Sequence, residues 1–594
     1  MTGPTPGSPT PADAVPLASR WLLGLAAVAI AFAAADTYVV VLALPDMMTS
    51  AGLAVNELQR GAPIISGFLL GYVAVLPLIG RISDLRGRVP VLTGSLVVFA
   101  IGSVVTATGY DLDTVVVGRL VQGIGGGGLI PPTLALVADL WPPERRGMPL
   151  GLVGAVQELG SVLGPLYGAV VLAFGTWRDI FWLNGAVGLV LLAALVAQGR
   201  RAPAGLDVPP PRPGRFDLVG LLLALLCLAA LALVMSQPER LTTGVTSGLA
   251  FLPVTGDSRW LTPVALTLYG LLALLLLRLL TARRPLVDWR SWRGIARETD
   301  LVGAAFLTVA LGAVIVAFAS AEPERTAISP AARWLLPLAI AALAGFWWRQ
   351  RVARQPILPR GALQARPAWG ALVVSFFVGA SLIAALVDIP FFARLTVYRD
   401  SQLDAALVLL RFLVALPVGA VLGGWLLRRV PAAWLTAVAM LVSAVSFWHM
   451  STWDENALLH GSETISLITA GLGFGVAIAP VNAVLLDHTI DAVHGVASAL
   501  LIVARMVGML IGISALTTIG LRAYFSASAK IPEASRLCGD ASYCQAYRDA
   551  LRDAAITQLH TVFLGAAVCA GVAAVLALSL LRERRGGVGD TVTP

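Results

Sequence analysis

Runs of apolar residues, each close to the about 20 needed to cross a bilayer, follow one another along almost the whole chain. That pattern leaves few folds open. In lipid a single segment can satisfy its own backbone only as a helix. Barrel strands would be about half as long and would alternate apolar with polar residues. Only 13% of the residues are charged and mean hydropathy is +0.83, whereas a soluble domain carries about 25% charge. The chain is therefore an all-α polytopic membrane protein, and a soluble enzyme is excluded. Sixteen spans can be read, the first six beginning near Trp21, Ala62, Val89, Thr114, Gly147 and Ile180. Four more begin near Leu218, Leu261, Leu301 and Trp334, and the last six near Ala368, Ala405, Ala432, Ile465, Val493 and Thr557.

The net charge of +8 is carried mostly by Arg, and the Arg residues gather in alternate loops. Examples are Arg81, Arg86 and Arg88, then Arg145 and Arg146, Arg428 and Arg429, and Arg582 with Arg584 and Arg585. By the positive-inside rule those loops are cytoplasmic, and an even span count puts both termini there too. This reading locates the chain in the cytoplasmic membrane. The basic balance thus reports topology, and no aromatic-basic patch or zinc spacing points to nucleic acid. Residues 1–19 lack a basic n-region, so they are expected to be a disordered cytoplasmic tail and not a signal peptide. The expected order after it is a bundle over 20–200, a cytoplasmic linker over 201–215, inserted helices over 216–360, a second bundle over 361–582 and a tail over 583–594.

The insert repeats itself. Asp217-Leu218-Val219-Gly220 recurs as Asp300-Leu301-Val302-Gly303, Pro238-Glu239-Arg240 as Pro323-Glu324-Arg325, and Arg259-Trp260-Leu261 as Arg333-Trp334-Leu335. Three ordered matches at span ends favour a duplicated helical hairpin over chance similarity of apolar helices. The four inserted spans hold almost no polar residue, so they should be peripheral.

Charges inside spans are expensive and usually functional. Asp36, Glu158, Asp388 and Arg505 lie within spans, and Arg119 and Arg411 nearer their ends. Desolvation and a facing Arg pull a carboxylate's proton affinity in opposite directions, so moving the Arg switches it. The competing account is a fixed salt bridge, with equal force at Asp388, and for Arg119 and Arg411 a snorkelling role. After the second span, Gly80 permits a turn, Asp84 can meet a helix N-terminus, and Arg86 and Arg88 around Gly87 can bind an acid such as Asp139. Such a cytoplasmic charge lock competes with an ordinary basic loop. Gly160, Gly164 and Gly168 share one helix face, with Pro165 between them, which allows close packing and a kink. Gly125 to Gly128 lie within a span without a following Lys-Ser/Thr, so they are not a phosphate loop and mark close packing or a broken helix. No cofactor or metal motif is present. His488 and His494 with Asp487 and Asp491 read as loop polarity and weak caps. Cys227 and Cys569 fall in spans, while Cys538 and Cys544 lie in an outer loop where a disulfide can close, two free thiols being the alternative.

These residues carry a resemblance. Gly80 to Arg88 resembles the loop signature of the major facilitator superfamily, and Arg119-Leu120-Val121-Gln122-Gly123 its fourth-helix motif. Gly154 through Gly168 is similar to the antiporter motif of the drug:proton branch. The segments Asp36 to Val41, Gln157 to Gly168, Trp177 to Trp182, His494 to Ser498 and Ala504 to Met509 resemble the lipid exporters of mycobacteria within that branch, which work with a lipid-carrying lipoprotein. The resemblance implies two six-helix bundles rocking around a midplane site, here with four inserted helices in place of the usual two. It implies that Asp36, Asp84, Glu158 and Arg505 are the functional charges. The expected activity is proton-coupled export of triacylglyceride-like lipid, with a general multidrug:proton antiporter as the alternative and a non-transporting lipid-binding scaffold as a third.

One stretch adds to this. Over 521–559, Ala546, Leu551, Ala554, Ala555 and Leu559 recur at helical spacing with charges on other faces. The last span is expected to extend outward as an amphipathic helix beside a projecting partner. An apolar groove there would shield a lipid at about 0.8 kcal/mol per methylene kept from water.

Overall fold

The chain is described from a computed structural model over residues 16–52, 58–199, 217–244, 246–282, 299–319, 330–359, 361–398, 401–532, 536, 538 and 544–582. The expected linker at 201–215, the Pro323-Glu324-Arg325 copy, the tail at 583–594 and most of the N-terminal tail lie outside them.

Every regular element among the described residues is helical. The first bundle's helices are α1 (Leu17–Ser50), α2 (Leu58–Ala74), α3 (Leu76–Arg86), α4 (Arg88–Ala107), α5 (Leu112–Gly127), α6 (Ile130–Leu140), α7 (Gly147–Phe174) and α8 (Trp177–Gly199). Then come α9 (Leu218–Ser236), the single turn α10 (Glu239–Thr242), α11 (Pro263–Thr281), α12 (Leu301–Ala319) and α13 (Ala332–Val352). The last are α14 (Arg366–Leu395), α15 (Gln402–Leu426), α16 (Ala432–Met450), α17 (Gly461–Asp487), α18 (His494–Ser528) and α19 (Gln545–Leu580). Two spans are built from consecutive helices. Pro77 starts α3 just after α2 ends, and Pro131 and Pro132 start α6 after the glycine run has closed α5. Fifteen stretches among the described residues are long and apolar enough to cross a membrane. The remaining expected span coincides with α13, a helix of 21 residues that carries Arg333 at its start and Arg349 and Arg351 in its last turn.

The helices form two compact units. The first holds the described residues of 1–142, 160–320 and 333–358, the second those of 143–159, 321–332 and 359–594. Helix α7 thus contributes its first turns to the second unit and the rest to the first. In the first unit α5 packs between α2 and α4, and α4 also meets α8. Small residues let these backbones touch. A Cβ on Gly123 would collide with the Phe68 carbonyl of α2, and one on Gly102 with the Gln122 backbone of α5. In the second unit α14 packs against α18 and α19, and α17 against α15 and α16. An aromatic cluster fills its centre, with Phe563 stacked on Phe447 and edge-on to Trp453.

The inserted helices belong to the first unit. α9 and α11 share a small core of Cys227, Ala230, Val234, Ala265 and Leu268, and α9 meets the bundle through α4. α12 lies on α2, where Thr308 donates to the Ala74 carbonyl at 3.1 Å. Each hairpin is closed in the same way. Asp217 accepts from the Gly220 amide at 3.0 Å and is held by Arg278, from the end of α11, at 2.9 Å. Asp300 accepts from the Gly303 amide at 3.0 Å and is held by Arg349, from the end of α13, at 2.8 Å. One carboxylate therefore caps the outgoing helix and ties down the returning one.

Candidate functional site

Helix α1 carries Asp36 into the interior of the first unit, where its side chain is 0% exposed. A carboxylate so placed needs partners for both oxygens. Arg119 of α5 meets Oδ2 at 2.6 Å, Gln122 donates to Oδ1 at 3.1 Å, and Asn184 of α8 also donates to Oδ1. The remaining polar atoms are tied in turn. Arg119 donates to Gln122 Oε1 at 2.7 Å, and Gln122 to Ser103 Oγ at 3.0 Å. The Tyr167 hydroxyl of α7 lies 3.1 Å from Asn184 Oδ1. The Arg119 guanidinium also sits 4.3 Å from the centre of the Phe68 ring. Arg119 is thus turned inward onto Asp36, and the snorkelling geometry is not adopted.

Close helix packing builds this network. Cβ atoms on Gly160 and Gly164 would collide with the Ala31 and Ala35 carbonyls of α1, and one on Gly168 with the Val39 side chain. The glycine face of α7 therefore lies directly on the turns that flank Asp36, which brings Tyr167 within reach. Gln122, Ser103, Tyr167 and Asn184 were not singled out from sequence as site residues. Asn184 carried a readable signal, being the lone amide in the apolar run after Phe181.

The second unit holds the other charges. Glu158, on the first part of α7, is half-buried and lies within electrostatic reach of Arg505 on α18. Arg505 sits where α18 crosses α14 most closely. A Cβ on Gly379 would strike the Arg505 carbonyl, and one on Gly508 the Phe376 carbonyl. Asp388, farther along α14, is 9% exposed and has no ion pair among the described residues. Arg411 donates to Thr464 at 2.8 Å. Of the six expected charges, the structure brings together Asp36 with Arg119 and Glu158 with Arg505, and joins Asp388 and Arg411 to neither pair.

The loop after α3 is a clamp. Gly87 has φ 93°, a conformation that favours glycine, and its turn places Arg88 over both acids. Arg88 pairs with Asp84, and with Asp139 of α6 at 2.9 Å. The residue that closes the clamp is Arg88; Gly80 is buried in α3 ahead of it. In the second unit Arg146 pairs with Asp487 at 3.0 Å, and buried His494 lies 3.0 Å from the Leu486 carbonyl, closing the turn between α17 and α18. No group of residues able to hold a metal occurs among the described residues.

The last two helices are unusually long. α18 has 35 residues and α19 has 36. At 1.5 Å per residue each runs about 50 Å, against about 30 Å for a hydrocarbon core. Cys538 and Cys544 are disulfide-bonded in the connection. The early part of α19 is amphipathic, with Ala554, Ile556 and Leu559 buried and Arg552 reaching Glu455 at 3.4 Å.

A carboxylate–guanidinium pair buried among membrane-crossing helices marks a functional site within the membrane, as in a transporter. The chain belongs to the Major Facilitator Superfamily, whose sequence profile matches residues 26–348. It is 35% identical to a triacylglyceride transporter of Mycobacteroides abscessus, over 87% of this chain and 85% of that one. It is 33% identical to a triacylglyceride transporter of Mycolicibacterium smegmatis, over 93% of this chain and 85% of that one. A probable triacylglyceride transporter of Mycobacterium leprae is 32% identical over 97% of this chain and 98% of its own.

Proposed function

We propose that this transporter exports triacylglyceride-like lipid from the cytoplasmic membrane by alternating access, driven by protons. The observation that carries the coupling is Asp36, a carboxylate with no exposed surface whose partners are one cation and two amides. A proton on Asp36 removes the charge that holds Arg119, so protonation and helix rearrangement become one event. Glu158, within electrostatic reach of Arg505, is the second carboxylate that takes part in the coupling. Arg88, Asp84 and Asp139 lock the cytoplasmic side, both termini are cytoplasmic, and the two inserted hairpins arose by duplication. The relatives' names support lipid as the substrate.

Proton-driven efflux of a fluorescent triacylglyceride from proteoliposomes tests the proposal. Asp36→Asn and Glu158→Gln are each expected to lower the initial rate at least about a hundredfold, the low end for losing a proton-transferring group. Wild-type rates in both variants would refute the coupling. Efflux of small cationic drugs without any lipid efflux would favour the multidrug alternative.

The long ends of α18 and α19 provide an apolar path beyond the bilayer, where a lipid-carrying lipoprotein can receive the cargo. Shortening each helix by about two turns, while keeping the spans and the disulfide, is expected to reduce lipid export severalfold and to spare drug efflux. Undiminished lipid export would remove the extension from the path.

A further inference from the structure

The loop between α3 and α4 has a counterpart in the turn between α15 and α16. Arg88-Val89-Pro90 opens α4, and Arg429-Val430-Pro431 leads into α16. Matching these triplets puts Trp425 where the first unit has Asp84, and Arg428 where it has Gly87. The second acid has a counterpart as well. Asp139 follows Pro132 by seven residues, as Asp487 follows Pro480.

The two loops are neutralised differently. Arg88 is paired twice, with Asp84 and with Asp139. Arg429 has neither acid. Asp487 is taken by Arg146 at 3.0 Å, and in place of the other carboxylate the Trp425 ring lies 4.3 Å from the Arg429 guanidinium. Arg582, at the end of α19, lies in the same way 4.8 Å from the Trp434 ring of α16. Among the described residues Arg428, Arg429 and Arg582 have no carboxylate partner. Arg428 and Arg429 line a cavity of about 440 Å³ together with Leu427, Ala432 and Asp487. The other acid on its rim, Glu144, is exposed beside Arg145.

The three cations stand just past the apolar stretches of α15, α16 and α19. Trp425 is 43% exposed and Trp434 46% exposed. Tryptophan in that position marks the level of the lipid headgroups, and Arg there keeps its stem in the apolar layer and its charge at the headgroup plane. We propose that this end of the second unit binds the phosphate headgroup of an anionic phospholipid through Arg428 and Arg429. The bound lipid supplies the negative charge that Asp84 and Asp139 supply in the first unit. It is a resident lipid, distinct from any exported one, so the proposal stands whatever the cargo is.

Native mass spectrometry of the full chain, with phosphatidylglycerol or phosphatidylcholine of identical chains added, tests it. Wild type is expected to retain phosphatidylglycerol about tenfold more tightly. Arg428→Gln with Arg429→Gln is expected to remove most of that preference, on the order of tenfold for two interfacial cations. Trp425→Asp places a carboxylate beside Arg429 and is expected to weaken retention without removing an arginine, so it carries the test if the double variant misfolds. Equal retention of both lipids by wild type, or a preference untouched by Trp425→Asp, would overturn the proposal. Displacement by millimolar inorganic phosphate would overturn the lipid assignment in favour of a free-anion site.

Discussion

Alanine at Arg119 is expected to destabilise the protein by about 3–5 kcal/mol, the usual penalty when a buried charge loses its partner. Asp36 would keep two amide donors and lose its counter-charge. The companion Asp36→Asn leaves the guanidinium buried without a carboxylate and should fall in the same range. The informative variant combines Asp36→Asn with Arg119→Gln, which leaves neutral groups that can still hydrogen-bond. Its melting temperature in detergent should recover most of the loss, because removing both charges of a buried pair costs far less than removing one. Proton-driven efflux should not recover. If stability and efflux both return, the pair is a helix staple and the proton path lies elsewhere.

Valine at Gly160 is the second large effect. The glycine's Cα faces the Ala31 carbonyl so closely that even a methyl group has no room, and here the obstacle is backbone. Side-chain overpacking typically costs 1–3 kcal/mol, about the least expected here, because a backbone collision can be relieved only by moving α7 off α1. That movement would also draw Tyr167 away from Asn184 and loosen the network around Asp36. A fall in melting temperature together with lost efflux is expected. Alanine at Gly94, where a Cβ meets nothing, is the control and should change neither. Unchanged stability in Gly160→Val would show that α7 and α1 are not held at this distance.

Much of this was legible in the chain. Apolar runs of bilayer length left only helices, and nearly all of the expected spans fall on membrane-length helices. Span ends were harder where two helices share a span, because the breaks at Pro77 and at the glycine run are set by local backbone chemistry within one continuous apolar stretch. The prominence of Asp36 came from its sequence context alone. Its partners did not, since Asn184 and Gln122 are ordinary residues until helices α5 and α8 bring them together on one carboxylate. Arg119 stood nearer a span end and so could be read as reaching for water. Its direction is fixed by Phe68 and Asp36 on neighbouring helices, which no spacing along α5 records.

The paired closures at Asp217 and Asp300 bear on how such a chain can grow. A helical pair that caps its own start and secures its own return fastens its two ends without a residue from the surrounding bundle. Adding one shifts no downstream helix to the opposite face of the membrane, whereas adding a lone helix would invert every element after it. Parity therefore makes the self-fastened pair the smallest unit by which this architecture can lengthen, and a chain that has taken up one can take up a second.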